Sequence, residues 1–103
     1  MPHVDFVFGF PDETLEDRRL SLSLMEKMIG ELDAKIHAHT YMPLPATPFF
    51  RKEPTRLDSE TRQTLLAWEN RKKLDGWWQE QERVAWEIVR WRDEGLIGVR
   101  RSA

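Results

Sequence analysis

The sequence predicts an α/β fold built on a strand–helix–strand unit, and three observations lead to it. HVDFVFGF at residues 3–10 is a nearly unbroken apolar run, AKIHAHTYM at 34–42 is a second run of strand character, and the stretch between them has helical periodicity. The first run is rich in Val and Phe and does not alternate cleanly, the pattern of a strand covered on both faces, as parallel strands are. Two such runs joined by one helix form a crossover unit, for which the right-handed connection is expected.

Taken in order, His3 to Phe10 is the first strand and breaks at Gly9-Phe10-Pro11. A helix follows from Thr14 to Gly30: Asp12 or Thr14 can cap its free amides, Glu16 and Asp17 suit the positive end of its dipole, and Gly30 suits the stop. Its apolar rows, Leu20-Leu24-Met28 and Leu22-Met25-Ile29-Leu32, predict one wide buried face. Ala34 to Met42 is the second strand. Residues 43–57 contain Pro43, Pro45, Pro48 and Pro54, which remove backbone donors and hold their predecessors extended, so an ordered loop is expected there, pinned by Phe49 and Phe50. Asp58 or Ser59 caps a second helix that runs through Asp75, is kinked or divided at Gly76, and continues to about Glu94. Within it Trp77, Gln81, Val84, Ile88 and Trp91 recur in steps of four and three as a packing seam, and Glu69 with Lys73 is positioned as an exposed ion pair. The chain thus divides into residues 1–57, a Trp-rich helical segment at 58–95 and a tail at 96–103.

The 103 residues suit one domain or part of one, since domains most often run to about 100–150 residues. A net charge of -2 and a pI near 5.9 provide no basic field for nucleic acid or an anionic membrane. There is no cysteine, which excludes disulfides, thiolate metal sites and cysteine nucleophiles within this chain. With no long apolar span and no signal-like start, a cytoplasmic protein is expected. Two parallel strands leave their outer edges unpaired and fall below the usual size of a stable sheet. The expected partners are therefore the missing part of a larger sheet or a second copy joined through the sheet edges.

Two motifs sharpen this. Asp5-Phe6-Val7-Phe8-Gly9-Phe10-Pro11-Asp12-Glu13-Thr14 leads a strand into a helix, and Pro43-Leu44-Pro45-Ala46-Thr47-Pro48 ends the next strand. The pair resembles the last part of radical S-adenosylmethionine (radical SAM) enzymes, whose corresponding runs read D-x-I-x-G-x-P-G-E-T and P-x-P-G-T-P. HAHTYMPLPATPF, LDSETRQ and GWWQEQE look most like members that carry a cobalamin-binding domain ahead of the radical domain. The likeness covers about residues 2–85, and Asp12 and Ala46 stand where the family has glycine.

The resemblance implies the C-terminal portion of a partial (β/α)6 TIM-type barrel, followed by long C-terminal helices. It implies that Val7, Gly9 and Phe10 border the adenine of S-adenosylmethionine, and that the strand end at His39 to Met42, with Met42 as its last member, offers main-chain groups to the same base. The family's 4Fe-4S cluster needs three cysteines in a CxxxCxxC loop, which this chain lacks, so it is expected not to be catalytic by itself. Met1 then reads as the start of a fragment. The alternative is a small non-enzymatic interaction or oligomerisation module on a βαβ scaffold, in which the Trp-rich helices mediate self-association or docking to a partner; a flavodoxin-like nucleotide site is disfavoured because the Gly9 loop lacks a cluster of phosphate-cradling glycines.

Other residues admit a chemical and a plain reading. His37 and His39 share a strand face, and His3 with Asp5 on the neighbouring strand would complete a metal set; hydrogen-bonded imidazoles lining a polar barrel interior are the favoured reading. Trp68, Trp77, Trp78, Trp86 and Trp91 near Arg71, Lys72 and Lys73 could stack nucleic-acid bases, but their helical spacing favours core packing. Glu13, Glu16 and Asp17 are best explained by helix-start electrostatics rather than acid–base chemistry.

Overall fold

A computed structural model describes residues 1–44 and 51–96. The motif residues Pro45, Ala46, Thr47 and Pro48, the proposed pins Phe49 and Phe50, and the tail from residue 97 lie outside the described residues. The chain is mixed α/β, with elements β1 (His3–Phe8), α1 (Leu15–Leu32), β2 (Lys35–Thr40), α2 (Ser59–Asn70), β3 (Leu74–Asp75) and α3 (Trp78–Asp93). The three strands form one parallel sheet in the order β1-β2-β3.

The expected βαβ unit is present. Thr14 caps α1 with a reciprocal box: its hydroxyl accepts from the Asp17 N–H at 3.0 Å, and the Asp17 carboxylate accepts from the Thr14 N–H at 3.0 Å. Those two contacts hold the Asp17 carboxyl below its ordinary value. Gly30 does not stop the helix, which continues to Leu32 and ends where Asp33 enters the left-handed region at φ 50. The Ala34 N–H then closes onto the Met28 carbonyl at 3.2 Å, satisfying the end of the helix without a glycine.

Three expectations are corrected. The second helix ends at Asn70, five residues before the predicted Asp75, because Lys72 turns left-handed at φ 59 and frees Leu74–Asp75 to pair with Ile36 and His37 of β2. Among the described residues the sheet consequently has three strands rather than two. Gly76 does divide the helical segment: at φ 132 it lies so close to β2 that a Cβ would fall 2.2 Å from the Ala38 carbonyl oxygen. With α2 ended early, Glu69 and Lys73 part; Glu69 accepts from the Trp78 indole N–H at 3.2 Å and Lys73 meets Asp33 at 3.2 Å. Finally, the buried stripe of α3 is Trp78, Glu82, Ala85, Ile88 and Val89, offset from the predicted seam, so Trp77 is 70% exposed.

The core lies on one side of the sheet. Phe8, Ile36, Ala38 and Leu74 point inward from the strands and meet Leu22, Met25 and Ile29 of α1, Leu65 of α2 and Trp78 at the start of α3. Neither predicted row of α1 is buried along its whole length: Leu22, Met25 and Ile29 are buried but Leu32 is 57% exposed, and in the other row Leu20 is 65% and Leu24 50% exposed. The first strand likewise alternates in burial, with His3, Asp5 and Val7 exposed, so the expectation of cover on both faces is not met among the described residues. No helix among them is long and apolar enough to cross a membrane.

Candidate functional site

Strand alternation sends His3, Asp5 and Val7 of β1, His37 and His39 of β2 and Asp75 of β3 to the face opposite the core. All three histidines of the chain are on this face. An open cleft of about 650 Å³ runs along it, lined by Asp5, His37, His39, Asp75, Gly76 and Trp77.

The imidazoles are held in defined orientations. The Asp75 carboxylate accepts from Nδ1 of His37, and Nε2 of His37 lies 2.8 Å from Nδ1 of His3. A carboxylate only accepts, so neutral His37 carries its proton on Nδ1 and presents a lone pair at Nε2, which receives the Nδ1–H of His3. His39 is set the other way. The Thr40 N–H donates to Oε1 of Gln81 at 2.8 Å, which turns the Gln81 amide nitrogen toward Nδ1 of His39 at 3.3 Å. His39 Nδ1 therefore accepts, and its proton is on Nε2, 3.4 Å from the Asp5 carboxylate. The backbone of β2 thus dictates, through one side chain, the tautomer of its last imidazole.

The suggested metal set does not assemble: among the described residues no group of three or more His, Cys, Asp or Glu side chains is arranged to hold an ion. Physically, Nδ1 of His3 and Nε2 of His37 point at one another across 2.8 Å with ring planes 13° apart and centroids separated by 5.0 Å. The nitrogens lie between the ring centres, edge to edge, which leaves a hydrogen bond and no room for an ion that needs about 2 Å from each.

The residues assigned to adenine are placed as follows. Val7 and Phe10, each 40% exposed, share a groove of about 390 Å³ at the outer edge of β1 with Pro11, Asp12, Glu13, Asp17 and Ser21. Gly9, at φ 88, is buried, and both its backbone groups are engaged: the N–H donates to Glu13 at 2.7 Å and the carbonyl accepts from the Thr55 N–H at 3.0 Å. Met42 is half-buried, is not part of the groove, and its carbonyl accepts from the Leu44 N–H at 2.9 Å. The structure brings Val7 and Phe10 together and leaves Met42 apart.

Beneath the groove is a hub that the sequence did not announce. Arg18, 5% exposed, donates to Glu13 at 2.5 Å, to the Thr55 hydroxyl at 2.6 Å, to the Arg56 carbonyl at 2.7 Å and to Asp58 at 3.2 Å. Glu13 is thereby a largely buried strut, its side chain 10% exposed, joining Gly9 to Arg18, beyond the helix-start role read from its position. Partial burial pushes the Asp58 carboxyl up, but hydrogen bonds from the hydroxyl and N–H of Thr61 and from Arg18 outweigh this and lower it to about 2. A second buried charge, Glu82, accepts from the Leu57 N–H at 2.9 Å and from Arg62, tying the loop before α2 to α3.

Comparison with known proteins returns no matching family model, no matching curated protein and no matching solved structure.

Proposed function

We propose that this chain is the closing wall of a radical S-adenosylmethionine barrel: the C-terminal portion of such an enzyme, of the cobalamin-associated type, contributing adenine-side contacts and barrel closure. The observation that carries the reading is the asymmetry of the sheet. Helices and apolar side chains cover one face, whereas the other presents oriented polar groups to open space. A strand set of that kind suits the wall of a barrel wide enough to hold a ligand.

The edge of β1 supports the same reading. Pro2 and Phe8 carbonyls accept from Lys35 and Tyr41, so the two-residue alternation of a parallel ladder leaves the backbone groups of His3, Asp5 and Val7 on the outer edge, available to a further strand. The cluster's thiolates are not among this chain's residues, so in this reading companion sequence supplies the cluster and any cobalamin. Within this chain, Val7 and Phe10 provide the apolar surface for the base, while Gly9 fixes the loop that places Phe10.

The test is amide chemical-shift mapping of the labelled chain with millimolar S-adenosylmethionine, using ATP as control. Shifts at Val7, Gly9, Phe10 and Met42 that S-adenosylhomocysteine reproduces are expected. No shift there, or an equal response to ATP, would overturn the assignment.

One observation favours a second reading, self-association through the same edge: Leu20 and Leu24 of α1 are exposed, as are Val7 and Phe10 at the β1 edge, which no other described strand pairs. Sedimentation equilibrium separates the two. A dimer that Leu24→Lys dissociates supports the second reading, and a monomer at all concentrations removes it.

A further inference from the structure

We infer that Asp75, His37 and His3 form a proton relay whose outer end, Nε2 of His3, is a general base toward a hydroxyl-bearing small molecule on the open face of the sheet. The inference stands on side-chain geometry alone and holds whether or not the barrel reading does.

Three strands each contribute one member. His37 and Asp75 are register partners on β2 and β3, and His3 sits two residues toward the amino end of β1 from His37's partner Asp5, paired with Lys35. With Nδ1–H of His37 committed to Asp75 and its Nε2 committed to His3, the ring has no nitrogen left for a ligand. His39 is equally committed, to Gln81 and Asp5. Among the described residues nothing engages Nε2 of His3, so one imidazole lone pair in the cluster remains open, and it is the one backed by the chain of hydrogen bonds.

The step balances as proton transfer. The ligand's O–H proton passes to Nε2 of His3, the proton on Nδ1 of His3 moves to Nε2 of His37, and the resulting imidazolium is held by Asp75 through Nδ1–H. Asp75 and His37 are positioning residues; His3 alone meets the ligand. The Lys35 ammonium, 3.7 Å from the other Asp75 oxygen, fixes the carboxylate without reaching the imidazoles. The carboxylates of Asp5, next on the same face of β1, and of Asp75 outnumber the Lys35 ammonium around His3 and disfavour an anionic ligand, so an uncharged or cationic alcohol is the matching class.

Two measurements on the full chain test this. Long-range proton–nitrogen correlation of the imidazoles should find the proton of His37 on Nδ1 and that of His39 on Nε2; the opposite tautomer at His37 overturns the relay. Diethyl pyrocarbonate, with peptide mapping by mass spectrometry, should modify His3 ahead of the other two histidines. Asp75→Asn should abolish that lead, and Asp5→Asn, which touches only His39, should preserve it. An unchanged His3 rate in folded Asp75→Asn would show that exposure alone sets the reactivity. Stoichiometric Zn2+ binding at Nδ1 of His3 and Nε2 of His37 would make these atoms ligands and likewise overturn the proposal.

Discussion

The two faces of one short sheet obey different rules. On the covered face, Phe8, Ile36, Ala38 and Leu74 have lost essentially all solvent contact and are held by apolar packing. One residue along each strand, the open face places imidazoles and carboxylates whose directions are fixed by hydrogen bonds while their outer atoms stay accessible. The first face converts sequence into stability, and the second spends the rigidity so gained on orientation. Substitutions on either side of the same strand should therefore separate stability from chemistry.

The largest effect is expected where a charge lies on the covered side. Arg18→Met removes the guanidinium that four acceptors share and leaves Glu13 largely buried without its partner. A loss of about 3–5 kcal/mol is expected, read as a lowered urea midpoint. A loss below about 1 kcal/mol would mean that the hub is solvated.

Adjacent positions of β2 give the cleanest contrast. Ile36 is fully buried, and Ile36→Ala should cost about 2–5 kcal/mol through lost burial and the cavity left behind. His37→Ala, its immediate neighbour, removes two partly exposed hydrogen bonds and should cost about 1 kcal/mol, while freeing the Nδ1–H of His3. Equal losses at the two positions would show that the open face is packed in solution.

How far this contrast was legible in the sequence depends on the range of the contacts involved. The β1–α1–β2 unit was readable because apolar runs of strand character, capping candidates at Asp12 and Thr14, and helical period are local signals. The spacing of His37 and His39 likewise announced a shared face. Asp75 was hidden, because ENRKKLD continues a helical composition and a two-residue strand has too few positions to show a period. Carrying the helix through Gly76 then displaced the α3 seam by one residue and sent Trp77 inward on paper. The Arg18 hub was illegible for another reason: Thr55, Arg56 and Asp58 lie 37 to 40 residues away, and no local rule predicts a buried arginine between two helices.

Gly9 tests the junction between the faces. An alanine Cβ would meet the Thr40 methyl at 3.2 Å and the Thr55 carbonyl at 3.3 Å, in a backbone at φ 88 that alanine resists. Gly9→Ala should cost about 1–3 kcal/mol from backbone strain and should loosen the Thr55 amide, seen as faster hydrogen exchange. Unchanged exchange there would separate Gly9 from the loop it is taken to hold.

The smallest effect concerns Asp58, which caps α2 and touches Arg18, and its sign follows from the direction of its shift. The folded carboxyl is lowered to about 2 from the ordinary 3.8, so the unfolded chain takes up a proton at higher pH than the folded one. The stabilisation is complete above about pH 4 and is lost as pH falls toward 2. Its side chain is 28% exposed, so the solvent-screened contribution is about 1–2 kcal/mol. Asp58→Asn keeps one oxygen for the Thr61 N–H and removes the charge together with the second oxygen, which accepts from the Thr61 hydroxyl and Arg18. The stability gap between parent and variant should be constant from about pH 5 to 7 and close between about pH 4 and 2. A gap that persists unchanged to pH 2 would assign the effect to cap geometry instead of charge, and the covered side would then owe its hub to Glu13 alone.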